Sequence, residues 1–310
     1  MKTLAFLLML IHHLWREPSF ARFEPVAYGN ILLSIGLMSK ICVGIFMFLS
    51  GYGLMASTIS GGRNYCIINR LKKVMLPFWL IVLIVAPFLL ANDKVSWVDV
   101  MTDSLILTSN MNGSWWFMQT YVIFVVCFPL FKKSLIYNKV WISLFGLSIL
   151  CFQPIATEIR PYSDAVHYLF HYFPLFYSGV IARKLSLFDK LVGMKFVFRL
   201  LLVVGIVIVR FATGWNILNI GLIISMIMIL MDIQDYLSQS TKTVFNFLGR
   251  MSMNMWLIHM FFITYGFHLS NPFIELGWIY VESLVAAYLI WLLYNKLLSL
   301  KNEYYIDRCK

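Results

Sequence analysis

Long apolar runs separated by short polar connections fill the chain from end to end. About ten of them are long enough, alone or with polar interruptions, to cross a bilayer: residues 3–15, 38–59, 74–91, 114–131, 140–153, 165–182, 196–213, 215–231, 252–270 and 278–299. A free transmembrane helix needs about 20 predominantly apolar residues, so the runs at 3–15 and 140–153 are the shortest fits. Thr213-Gly214 is the only turn chemistry between two of them. The pattern predicts an all-α, polytopic integral membrane bundle of about ten transmembrane helices. It shows no soluble domain, low-complexity tract or repeat.

Composition agrees with that pattern. Of the 310 residues, 61% are hydrophobic and 13% charged, against about 25% charged in soluble domains. Such a chain lacks the polar surface to dissolve in water and uses the bilayer as its solvent. The net charge of +11 would suit nucleic acid, but its placement points elsewhere. Lys2, the loop at 60–73 (Arg63, Arg70, Lys72, Lys73), that at 132–139 (Lys132, Lys133, Lys139), that at 183–195 (Arg183, Lys184, Lys190, Lys195), that at 232–250 (Lys242, Arg250) and the C-terminal end (Lys296, Lys301, Arg308, Lys310) fall on one side. The other side holds only Arg16, Arg22, Lys94, Arg160 and Arg210, while Lys40 and Arg199 lie inside proposed spans. The positive-inside rule then puts both termini in the cytoplasm and accounts for the basic chain without nucleic acid.

Three features refine the picture. The outward loop at 92–113 carries Asp93, Asp99 and Asp103 against Lys94. Asn112-Gly113-Ser114 matches a glycosylation sequon, and Trp115-Trp116 follows where an aromatic belt belongs. The five cysteines show no metal-type spacing and read as small hydrophobes.

Candidate chemistry begins at the N-terminus. The run from Lys2 ends on His12-His13, and Lys2 and His13, eleven positions apart, fall within about 20° on one helix face. His12 lies about 100° away from His13. Ionisable groups in an apolar helix usually face a protein-lined or watery interior, so this helix is a candidate wall of an active site. Two plainer readings stand beside it. The pair also suits a membrane–water interface next to Trp15 and Arg16. The run also has the outline of a signal peptide with cleavage at Ser19-Phe20-Ala21, against which Arg16, Glu17 and Pro18 crowd. Further on, Arg70, Lys72 and Lys73 sit at the cytoplasmic mouth of a span and suit either phosphate or anionic lipid. The small residues of 42–54 permit close helix approach, with Ser50 and Tyr52 adding hydroxyls. Gly249 reads as a break and Ser252 as a helix cap, with His259 about two turns on as a buried, hydrogen-bonded histidine. His167, His171 and His268 lie nearer span ends.

Taken in order, these segments resemble the membrane-bound acyltransferase-3 family, which modifies bacterial surface polysaccharides. The likeness runs through Lys2 to His13, Phe-Met-Phe-Leu-Ser-Gly-Tyr-Gly (46–53) and Asn-Arg-Leu-Lys-Lys-Val-Met-Leu-Pro-Phe-Trp (69–79). It continues with Ser-Trp-Trp-Phe-Met-Gln-Thr-Tyr (114–121), Tyr-Phe-Pro-Leu-Phe-Tyr-Ser-Gly-Val (172–180) and Gly-Arg-Met-Ser-Met-Asn-Met-Trp-Leu-Ile-His (249–259). The resemblance implies one acyltransferase domain over 1–310 in the bacterial plasma membrane. It implies acyl-CoA, usually acetyl-CoA, as a donor substrate rather than a tightly bound cofactor, no metal, and a saccharide or glycolipid acceptor. His13, with His12 beside it, takes the catalytic place. Lys2, Arg70, Lys72 and Lys73 take the donor-binding places, and Ser50, Tyr52, Trp116, Ser252 and His259 support them. Where relatives carry Arg on the first helix and a second Arg at the mouth, this chain has Lys2 and Lys73, which keep the charge without the planar fork. Direct transfer and an acyl-histidine route both fit. A transporter or flippase of lipid-linked saccharide is the competing class, and a scaffold subunit of an assembly complex a third.

Overall fold

No strand forms among the described residues, because a backbone in hydrocarbon must bond to itself and an isolated helix does so most simply. The computed structural model describes residues 1–16, 23, 29–60, 67–137, 152, 155–161, 163–213 and 218–308. The expected run at 140–153, the Ser19-Phe20-Ala21 site, Arg22, Arg63, Lys139, Cys66, Cys151 and Cys309 lie wholly or almost wholly outside them. Cys42 and Cys127 are free thiols, and Cys42 is buried.

In chain order the helices are α1 (Lys2–Leu14), α2 (Gly29–Met38), α3 (Ile41–Ser60), α4 (Ile67–Ala91), α5 (Trp97–Ser104) and α6 (Trp116–Tyr137). There follow α7 (Asp164–Lys184), α8 (Leu187–Leu191), α9 (Phe196–Thr213), α10 (Leu218–Tyr236), α11 (Gln239–Tyr265) and α12 (Pro272–Arg308). Among the described residues, four stretches are long and apolar enough to cross a membrane: Gly29–Ile59, Ile67–Ala91, Leu218–Tyr236 and Pro272–Leu297. Lys2–Leu14 and Trp116–Pro129 are shorter apolar helices. Among the described residues the fold is all-helical, with apolar helices that mark a membrane protein.

Several boundaries differ from expectation. Lys40 falls within the apolar stretch Gly29–Ile59 but not within a helix: Ser39 and Lys40 form a turn between α2 and α3, with Ser39 Oγ donating to the Ile35 carbonyl at 2.7 Å. Gly249 does not break α11 and Ser252 does not cap it. The helix runs through both, and Ser252 Oγ donates back to the Gly249 carbonyl at 3.0 Å. A glycine inside a helix costs only about 1 kcal/mol, which the flanking turns absorb.

The chain divides into two compact units. One holds Lys40–Ile67 and Phe117–Val244 with Met1. Its centre is the crossing of α3 and α7, where motif glycines meet reciprocally. A Cβ on Gly51 would fall 2.0 Å from the Phe176 carbonyl oxygen, and one on Gly179 would fall 2.0 Å from that of Phe48. Only glycine permits that backbone approach. Helix α10 packs on α3 and on α9. Arg199 of α9, left inside a span by the sequence, is buried and ion-paired with Asp232 of α10. Its guanidinium also donates to the Leu191 and Val192 carbonyls at 3.2 and 2.6 Å. A buried charge is tolerated when it is paired in this way.

The other unit holds Lys2–Ser39, Ile68–Trp116 and Phe245–Lys310. Here α1 packs on α2 and α12. Along α12 the polarity is inverted relative to a soluble helix. Ile274, Trp278, Val281, Val285, Leu289 and Leu292 are exposed, while Glu275, Ile279, Ser283, Ala287 and Ile290 are buried at near-fourfold spacing. An apolar outer stripe and a partly polar inner one suit lipid outside and protein inside.

Candidate functional site

Helix α1 presents Ala5, Phe6, Met9 and Leu10 to the interior of its unit. Its C-terminal end rests on α2, where a Cβ on Gly36 would fall 2.3 Å from the Trp15 carbonyl oxygen. That approach brings the Gly36 carbonyl to His12, whose Nδ1 lies 2.8 Å from it. A carbonyl only accepts, so Nδ1 carries the proton and Nε2 the lone pair. His12 is buried and tied to α2 through its ring, and Trp15 is buried too, its indole donating to the Pro272 carbonyl at 3.4 Å.

His13, half-buried, faces another way. Its ring centroid lies 5.2 Å from that of His12 and 5.2 Å from that of His259 on α11. His259 is fully buried, and its Nδ1 lies 2.6 Å from the Trp256 carbonyl. By the same logic Nδ1 of His259 is protonated, and its Nε2, buried, has no hydrogen-bond partner among the described residues. Phe6 meets the His259 ring edge-on at 5.9 Å and Tyr280 of α12 at 5.7 Å. The expectation of a hydrogen-bonded histidine at 259 holds for one ring nitrogen only. The other is an unfilled acceptor beside His13.

The cationic residues occupy the other end of α1. Lys2 lies within electrostatic reach of Arg70 on the second turn of α4. Lys72 and Lys73 follow on α4 and are exposed. Lys2 and His13 are separated by about 16 Å of helix rise. One unit therefore carries a positive mouth, an apolar stretch and an imidazole pair, in that order along α1.

The structure also shows what packs on α11 just before His259. The segment after α5 wraps around the buried Asp103, whose carboxylate accepts from Thr108 Oγ1, from the Asn110 amide at 3.0 Å and from the Met111 amide at 2.6 Å. A Ser96–Asp99 capping box starts α5, and Asn110 donates to Asp99 at 2.6 Å. These bonds to Ser96 and Asn110 hold the Asp99 carboxyl below its ordinary range. The wrapped segment then delivers Asn112 and Trp115 to one acceptor. Both side chains donate to the Leu257 carbonyl, at 3.2 and 2.9 Å. Asn112 is thus buried and engaged in a hydrogen bond inside its unit. Trp115 is likewise no belt residue: it lies in the core between Phe78 and Phe261, with ring centroids at 4.8 and 5.8 Å. The physical reason is the same for both, since each carries an N–H that a helix carbonyl satisfies.

The remaining expected residues sit as follows. Trp116 opens α6, and Ser252 is buried on α11, two turns before His259. Ser50 and Tyr52 belong to the other unit. There Ser50 Oγ donates to the Phe46 carbonyl at 2.7 Å, and Tyr52 packs on Phe188 at 5.7 Å with the Arg183 guanidinium 5.8 Å from its ring centre. Gly36, Asp103, Asn112, Trp115 and Tyr280 escaped sequence reasoning as parts of the site. For Asp103 and Asn112 the Ser-x-x-Asp capping signature just upstream offered a clue that the loop is ordered; for Tyr280 no local signal exists.

No match to a curated protein or to a solved structure was found. A family model does match: the one described as an acyltransferase domain fits residues 1–296. With a helical membrane architecture and that match over nearly the whole chain, the protein belongs to the acyltransferase-3 family.

Proposed function

We propose that this protein moves an acyl group, in the simplest case acetyl, from cytoplasmic acyl-CoA to a hydroxyl of a cell-surface polysaccharide or lipid-linked sugar. The observation that carries the reading is the His13–His259 pair, 5.2 Å between ring centroids, one ring half-buried and the other sealed with an open acceptor. In this reading residues 1–310 act as one catalytic domain of about ten spans in the bacterial plasma membrane, both termini cytoplasmic. CoA phosphates dock at Arg70, Lys72 and Lys73, with Lys2 adding charge. The thioester reaches along α1 toward His13.

Neutral His13 then accepts the proton of an acceptor hydroxyl while that oxygen attacks the thioester carbonyl. A C–O bond forms, the C–S bond breaks, and the proton passes from His13 to the departing thiolate. His259 Nε2 serves as a second acceptor that orients the hydroxyl or the His13 ring. His12, anchored to Gly36, positions the end of α1.

The test uses purified full-length protein in detergent with radiolabelled acetyl-CoA and a surface-glycan extract. Acceptor-dependent release of free CoA is expected, and His13→Gln should lower it at least ~10²-fold, the usual contribution of a general base. Donor left intact by the wild-type protein would favour saccharide transport instead. Activity that survives in His13→Gln, with normal membrane insertion, would remove His13 from the reaction.

A further inference from the structure

The unit built on α3 and α7 contains a cavity of about 50 Å³. It lies where the starts of α3 and α10, the first half of α7 and the end of α9 come together, and its lining includes Lys40, Gly44, His171, Arg210 and Asn219. Two of these are cations, and the described lining includes no carboxylate. Lys40, His167 and Arg160 all lie within electrostatic reach of His171, so positive potential concentrates around this end of the unit. Asn219 is 7% exposed, and its side-chain oxygen is buried without a hydrogen-bond partner among the described residues. A buried amide oxygen left unfilled is costly, and it is complemented by a hydroxyl or amine donor. The space suits a small charged group with its immediate substituents, not a whole oligosaccharide.

We propose that this cavity binds an anionic group that carries a neighbouring hydroxyl, with Lys40 and Arg210 meeting the negative charge and the Asn219 amide oxygen accepting from the hydroxyl. Guanidinium and ammonium both match carboxylate or phosphate oxygens, and the amide supplies the acceptor that neither cation has. Two sources offer this chemistry: an acidic or phosphorylated saccharide, and a hydroxylated anionic lipid headgroup. The cavity lies at the start of α3, a 20-residue helix that ends at Ser60, so about 30 Å of helix separates the cavity from that end. On the topology proposed above, the cavity therefore opens on the side from which an acceptor arrives. Its assignment as an acceptor subsite rests on the acyl-transfer reading; the binding itself does not.

The test titrates full-length protein in neutral detergent with glucose 1-phosphate, glucuronate and glucose, read by calorimetry without acyl-CoA, with phosphatidylglycerol in a parallel arm. Both acids should bind at least tenfold more tightly than glucose. Arg210→Gln and Lys40→Gln should each weaken them at least tenfold, Arg210→Lys should retain binding, and Asn219→Asp should repel both. The variant His13→Gln should bind the acids like wild type even though transfer is lost, which separates a failure of this proposal from a failure of the catalytic one. Saturable binding of either acid assigns the cavity to a saccharide. Binding confined to phosphatidylglycerol, and lost in Arg210→Gln, assigns the same anion chemistry to a lipid headgroup. No binding in any arm, glucose binding as tightly as the acids, or anion affinity unchanged in both Arg210→Gln and Lys40→Gln overturns the proposal.

Discussion

The tautomer of His259 is set by a backbone carbonyl, and that one bond decides what the residue offers the site. With Nδ1 donating to Trp256, Nε2 faces the interior as an acceptor, so replacing the ring removes a function and not only a packing contact. His259→Ala should therefore cut kcat about 10²-fold with little change in KM for acyl-CoA, measured by steady-state CoA release. A purely structural histidine would instead lower the melting temperature and leave the kcat of the folded fraction intact. His12 and His13, adjacent in sequence, separate cleanly in role at this scale. The 100° turn between them sends one ring to the Gly36 carbonyl and the other toward His259. That divergence was legible from helix geometry alone. The identity of each partner was not, because Gly36 and His259 reach α1 through tertiary packing.

Among the helices, the motif residues divide between packing and chemistry. The 46–53 and 172–180 segments, read together as parts of one family pattern, are the two sides of a single crossing. Gly51 and Gly179 each sit on a carbonyl of the opposite helix. Gly51→Ala or Gly179→Ala must push α3 and α7 apart, and a loss of about 1–3 kcal/mol is expected from overpacking, seen as a lower melting temperature in detergent. The α9–α10 pair depends on charge. Asp232→Asn leaves the Arg199 guanidinium buried opposite a neutral group, and because Asp232 is 29% exposed the expected cost is about 2 kcal/mol, below the range for fully buried pairs. A double-mutant cycle with Arg199→Met should recover part of it. The 112–116 segment reads in sequence as a sequon followed by an aromatic belt, yet Asn112 and Trp115 are buried. Hydropathy and sequons report composition, and they cannot report that a single carbonyl, Leu257, takes bonds from both Asn112 and Trp115.

For the whole molecule, the distribution of cations makes the sharpest statement. If the 18-to-5 imbalance orients the chain as the positive-inside rule expects, Cys66, in a variant whose other four cysteines are replaced by Ser, should react with a membrane-impermeant thiol reagent only after the cells are opened. Labelling in intact cells would put the donor mouth at Arg70 on the wrong side for cytoplasmic acyl-CoA. What the chain determined by its order of residues was its solvent, its helical class and its family. Those follow from apolar length, charge spacing and short motifs, which are local quantities that any stretch of 10 to 20 residues carries. What only the folded structure decided was which polar groups meet. Arg199 found Asp232, His13 found His259, and Asn112 and Trp115 found Leu257, each across a gap of tens to hundreds of residues. In lipid such pairings follow from the need to satisfy every buried donor and charge at once, and that condition belongs to the assembled helices rather than to any one of them.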